Sequence, residues 1–150
     1  MAHTFTHLLT HIIFSTKDRQ PLLDADLKAR LFPYLGGIIR AHDGKTLIIN
    51  GPTDDVHILA SLAAKHSLSD LMRELKADTT AWIHKDVSNQ NSFAWQIGYG
   101  AFSVSHSNSD EVENYIANQE EHHRRISFQK EFVAFLKKHK IPYDERYIWE

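Results

Sequence analysis

The chain has 150 residues, with 17 Lys+Arg against 19 Asp+Glu, a formal charge of −2 with His neutral, and 42% hydrophobic residues. That suits one domain over residues 1–150, since a chain of this size buries roughly 68–70% of its unfolded surface. Zero Cys excludes disulfides, thiolate metal sites and a cysteine nucleophile and fits a reducing, cytoplasmic setting. No apolar run approaches the ~20 residues of a membrane span. Residues 1–16 hold no Lys or Arg and are broken by His7 and His11, unlike a secretory signal. The charge balance predicts no general affinity for nucleic acid, and the 11 His are the unusual count.

Residues 5–16 are rich in Thr, Ile and Phe and read as a first strand, ending at Lys17-Asp18-Arg19-Gln20-Pro21. Asp24 is placed to cap a helix whose Leu27, Leu31, Leu35 and Ile38 repeat at three and four residues. Pro33 inside that pattern predicts a kink or a later start, and Gly44 closes the helix. Lys45–Asn50 reads as a second strand, followed by the turn Gly51-Pro52-Thr53-Asp54. Along Asp55–Leu62, Val56, Ile58, Ala60 and Leu62 share one face and Asp55, His57, Leu59 and Ser61 the other. Ser67 starts a second helix with Leu68, Leu71, Met72 and Leu75 as its apolar stripe.

Trp95–Ser105 reads as a fourth strand with Gly98 and Gly100 at its entrance. Ser109 is placed to cap a third helix, with Asp110 and Glu111 matched to its dipole. A fourth helix runs from about Ser127 to His139, with Phe128, Phe132, Val133 and Leu136 inward, and Pro142 stops it. The order β-α-β-β-α-β followed by two helices predicts an α+β, ferredoxin-like (split βαβ) fold. It has a four-stranded antiparallel sheet with helices on one face, and its other face must be covered or used.

Two places could carry chemistry. Asp55 and His57, two apart on a strand, emerge side by side and could share a divalent metal; a solvated face or a plain Asp–His hydrogen bond is the alternative. On the third helix Val112, Tyr115, Ile116, Gln119 and His122/His123 share a face that starts apolar and turns polar at Gln119. Tyr115 and Gln119 are either a core-edge tyrosine beside a surface amide or a nucleophile beside an oxygen-donor ligand.

These residues carry a resemblance. The stretches Gly51–Leu59, Gly98–Ser105 and Tyr115-Ile116-Ala117-Asn118-Gln119 resemble the small single-tyrosine transposases of the HUH type, which act on single-stranded DNA. Their pattern is His-hydrophobic-His on a strand after a Gly-x-x-Asp turn, then Tyr-x-x-x-Gln on a later helix. Asp55 stands where that pattern has its first His. The resemblance implies a metal-dependent transposase that cuts and rejoins hairpin-bearing single strands through a 5′-phosphotyrosine link on Tyr115. It implies Mg²⁺ or Mn²⁺ held by His57, Gln119 and Asp55, and a homodimer in which the tyrosine helix of one subunit can complete its partner's site. A non-catalytic, sequence-specific DNA-binding descendant is the alternative that Asp55 suggests, and a ferredoxin-like module binding RNA or small ligands is a third.

Lys17 and Arg19, after the first strand, and the basic run His122-His123-Arg124-Arg125 are candidate phosphate contacts or solvated ends. His122 or His123 could also substitute as a metal ligand. His7 and His11 share a strand face but stand about 13 Å apart at ~3.3 Å per residue, too far for one ion, and read as surface or DNA-facing. Trp82 and Trp95 read as core rather than base-stacking platforms.

Overall fold

The computed structural model describes residues 3–149. The strands β1 (Leu8–Ser15), β2 (Lys45–Asn50), β3 (Asp55–Leu62) and β4 (Gly100–Ser103) form an antiparallel sheet in the order β2-β3-β1-β4. Between and after them come α1 (Ala25–Ala41), α2 (Leu68–Asp86), α3 (Ser109–Ala117), α4 (Gln119–His123) and α5 (Phe128–Lys138). The split βαβ order is the one expected.

The period-2 alternation of the two central strands decides the layers. Ile12, Phe14, Val56, Ile58 and Ala60 point to one face, where Leu27, Leu31, Leu35 and Ile39 of α1 and Leu71, Met72 and Leu75 of α2 seal the main core. Their opposite numbers point to the second face, which three helices cover. Ile116 of α3 packs on Leu9 and Leu59, while Phe128, Phe132 and Leu136 of α5 pack on Ile13 and Phe102. The tail folds back on α5 through Tyr143, Ile148 and Trp149. Between these two apolar patches the second face carries buried polar groups: His11, Ser15, Asp55 and His57.

Several local expectations change. Asp24 and Ser67 cap α1 and α2 through bonds from Leu27 N (2.8 Å) and Asp70 N (3.1 Å). Ser109 does not cap α3; it is the first helical residue, and its hydroxyl donates to the His106 carbonyl. Pro33 interrupts nothing, for α1 runs through it from Ala25 to Ala41. The first strand is shorter than residues 5–16. The fourth strand is cut to Gly100–Ser103, with Trp95 joined to Thr16 by a single bridge and Ile97 thrown outward. Lys76 donates to the carbonyls of Gln96 and Ile97 at that excursion, satisfying backbone that has left the ladder. Val133 is half-buried; the inward face of α5 runs Phe128, Glu131, Phe132, Leu136.

The predicted third helix is two helices broken at Asn118. The Asn118 side chain donates to the Asn114 carbonyl (2.8 Å), competing with the helical ladder. Asn50, the last residue of β2, then donates to the carbonyls of Ile116 and Ala117 (3.0 and 3.2 Å) and pins the end of α3 to the sheet. No helix among the described residues is long and apolar enough to cross a membrane.

Candidate active site and metal centre

The turn after β2 brings Asp55 to the start of β3, where it faces Ser15 across the ladder, with Ile13 opposite His57. Asp55 and His57 therefore point under α3–α5, and both are fully buried. His57 Nε2 lies 2.9 Å from Asp55 Oδ2 and 3.0 Å from Glu131 Oε1. Its Nδ1 lies 3.0 Å from His11 Nε2, the diagonal neighbour on β1. His11 is 2% exposed, so it is a buried partner of His57 rather than the surface or DNA-facing residue expected.

The electrostatics follow from this crowding. Burial disfavours charge on His57, but its contacts with the Asp55 and Glu131 carboxylates outweigh it and raise its pKa to about 9. Burial and then the charge of His57 push His11 down to about 3, so His11 is neutral and accepts from Nδ1 of His57. Glu131 is held well below the usual carboxylate range: its burial is overcome by His123, His57 and Tyr115 around it. The Tyr115 phenol is raised by burial and by the negative charge of Glu131.

Tyr115 stands over this cluster in the same chain, its ring 6.1 Å from that of His57 and 6.2 Å from that of His11. Its hydroxyl donates to Glu131 Oε2 and sits 3.1 Å from His122 Nε2. Gln119 is buried; its amide nitrogen donates to the Tyr115 carbonyl (3.3 Å) and its Oε1 has no hydrogen-bond partner. A cavity of about 440 Å³ opens beside Tyr115, lined among others by Val112, Ile126, Lys130, Phe135 and Lys138.

The candidate residues divide. Tyr115, Asp55, His57, Gln119 and His122 come together. Arg124 and Arg125 are exposed and reach Glu121 at 3.4 and 3.6 Å. Lys17 is exposed, and Arg19 lies over the Trp149 ring at 5.6 Å, both in the turn that leaves β1 beside Asp55. Trp95 is core, and Trp82 stacks on Tyr34.

Sequence reasoning missed Glu131. It sits three residues after Phe128 on the apolar stripe of α5, where a carboxylate is out of place, and that misfit was its signal. Asp55, His57, His123 and Glu131 each place a ligand atom within 4.8 Å of the others. The residues fit a divalent cation: Asp55 Oδ1, Glu131 Oε1, His123 Nε2 and Gln119 Oε1 are buried without an aligned hydrogen-bond partner. The two imidazoles bring nitrogen donors and the carboxylates anionic oxygens, a set that divalent ions accept.

A family model described as "Transposase IS200 like" matches residues 4–119, from the approach to β1 through Gln119. The chain belongs to this family of transposases. The transposase is a DNA-binding enzyme. Among solved structures, a proposed transposase from Deinococcus radiodurans R1 superposes with a TM-score of 0.66 at 21% identity, covering 79% of this chain and 95% of that one. A REP-associated tyrosine transposase bound to a REP hairpin superposes at 0.54 with 13% identity, covering 79% of this chain and 70% of that one. At such identities these likenesses speak for the fold. No curated protein matches the chain.

Proposed function

We propose that this transposase, a single domain over 1–150, cuts and rejoins hairpin-bearing single-stranded DNA through Tyr115. The observation that carries the reading is the Tyr115 hydroxyl bonded to Glu131, whose other carboxylate oxygen lies 3.0 Å from the buried His57 of the same chain. In the step proposed, the Tyr115 oxygen bonds to the scissile phosphorus, the bond from phosphorus to the 3′-oxygen breaks, and the strand leaves with a free 3′-hydroxyl. The product is a 5′-phosphotyrosine, which a second 3′-hydroxyl can resolve by the reverse reaction, so ends join without an outside energy source. The phenol proton has acceptors at hand in Glu131 Oε2 and His122 Nε2.

Asp55, His57 and Gln119 would hold a divalent ion, Mg²⁺ or Mn²⁺. Such an ion, when bound, offsets charge developing on the phosphate. The cavity beside Tyr115 is of the size that admits a nucleotide. Lys17, Arg19, Arg124 and Arg125 supply phosphate contacts along the strand, and His122, at the phenol, approaches the cleaved phosphate. The homodimer belongs to this reading too, and sedimentation velocity tests it.

The deciding experiment incubates the protein with a labelled hairpin-bearing single strand and Mn²⁺. A denaturant-resistant protein–DNA adduct that Tyr115→Phe abolishes is expected. Binding without an adduct on any end-derived strand would overturn the reading in favour of a non-catalytic DNA-binding protein.

A further inference from the structure

The ligand set read from the sequence stops at Gln119, as does the family match, yet two more ligand-type side chains reach the same point from beyond it. We propose that Asp55, His57, His123 and Glu131 form one divalent-metal site completed by α4 and α5. In it Glu131 bridges ion and nucleophile: Oε1 faces the ligand cluster, and Oε2 holds the Tyr115 hydroxyl. The proposal rests on the transposase reading for the role of Tyr115, and for nothing else.

Three observations support the site. Ligand pairs on one ion stand roughly 3–4.6 Å apart, given bonds of about 2.0–2.3 Å. All four ligand atoms here lie within 4.8 Å of one another, so small movements close the shell. Next, the cluster is not an acidic surface patch. Asp55 and His57 are fully buried, Glu131 is 3% exposed, and the His123 side chain keeps 9% of its surface.

Last, the four residues share one aligned bond, from His57 Nε2 to Asp55 Oδ2 at 2.9 Å, and leave other buried atoms unpaired. His123 Nε2 lies 3.3 Å from Glu131 Oε1 and 3.6 Å from Asp55 Oδ2, yet makes no aligned hydrogen bond to either. Glu131 Oε1 and Asp55 Oδ1 are likewise without an aligned partner. A buried ion-pair network that served structure alone would align donors on acceptors. Here Asp55 Oδ1, His123 Nε2 and Glu131 Oε1 stay unpaired although one ligand atom of each residue lies within 4.8 Å of the others, a lack that a bound cation would meet.

The site has an outer shell as well. His11 takes the bond from Nδ1 of His57 and so leaves Nε2 of His57 facing the cluster. Two imidazoles with two carboxylates suit Mn²⁺ better than Mg²⁺, which prefers an all-oxygen octahedron. Glu131 then links the ion to chemistry. Its second oxygen holds the phenol, so one carboxylate fixes Tyr115 at a set distance from the ion.

The probe is Mn²⁺ alone, titrated by calorimetry into the full chain without DNA, beside Glu131→Gln and His123→Ala. One site per chain is expected, with binding at least tenfold weaker in each variant. Wild-type affinity in either variant overturns the site. Should a variant fail to fold, the wild type decides: pulsed electron paramagnetic resonance with ¹⁵N-histidine counts the imidazoles on bound Mn²⁺. Two are expected, and one or none overturns the assignment.

Bound Mn²⁺ should also broaden the ring-carbon resonance of labelled Tyr115 beyond detection; stoichiometric binding that leaves it sharp overturns the bridge. None of these readouts needs strand cleavage. A protein that binds Mn²⁺ as described but forms no phosphotyrosine adduct refutes the cleavage reading and keeps the site. Adducts formed by a protein whose variants keep full Mn²⁺ affinity do the reverse.

Discussion

His57 is held from behind by His11, whose ring also meets that of Tyr115 edge-on at 6.2 Å. A neutral His11 accepts from Nδ1 of His57 at 3.0 Å and so fixes which nitrogen of His57 faces the carboxylates. Metal-bound imidazoles depend on such partners, and their loss weakens affinity about 10–100-fold. His11→Phe keeps the ring volume between His57 and Phe135, whose own ring lies 5.2 Å away, and removes the acceptor. We expect it to fold and to bind Mn²⁺ about 10–100-fold more weakly by calorimetry; an unchanged affinity would show that His11 has no hold on the site. A strand position flanked by Leu9 and Ile13 gave no hint of this role, because the partner comes from β3, 46 residues on.

At the scale of elements, the turn between β2 and β3 sets where the carboxylate stands. A Cβ on Gly51 would lie 2.1 Å from the Asp55 carbonyl oxygen, a contact with backbone that no side-chain movement can relieve. Gly51→Ala must open the turn and shift Asp55, with the roughly 1–3 kcal/mol typical of overpacking. Chemical denaturation should show that loss, and Mn²⁺ affinity should fall with it; wild-type values for both would mean that the turn adapts. The break at Asn118 has the same kind of local cause. It separates Tyr115 from His122 and His123 by a change of helix, and His122 still returns to the phenol.

Across the whole molecule, the site joins both central strands to three helices that cover the second face. An ion there ties α4 and α5 to the sheet, so its removal should loosen the entire chain. At about 100 times its dissociation constant a ligand stabilises by about 2.7 kcal/mol. For a chain of this size that is a rise in Tm of roughly 5–10 °C on adding Mn²⁺, reversed by a chelator. A scan showing no shift under saturating Mn²⁺ would contradict a site that spans these layers.

Charge is also a property of the whole. With a net −2, basic contacts are local, and Arg124 and Arg125 are among the exposed ones. Removing both to Ala should weaken single-strand binding without regard to sequence and flatten its logarithmic salt slope by about 1.4, the share of two phosphates. An unaltered slope would place the strand elsewhere.

The sequence by itself determined the split βαβ order, the two faces of β3 and the caps at Asp24 and Ser67, and it singled out Asp55, His57, Tyr115 and Gln119 as candidates. All of these are local: strand alternation, capping chemistry and short spacings are written in neighbouring letters. Only the tertiary structure decided that His11 and Glu131 belong with them, and that the chain's own Tyr115 closes over its own His57. His11 is brought to His57 by the pairing of β1 with β3, and Glu131 and Tyr115 by packing α5 and α3 on the sheet, each more than 40 positions from His57. No periodicity within one element encodes that distance. The carboxylate on the apolar stripe of α5 was in plain view, but its meaning came from what lies across the interface.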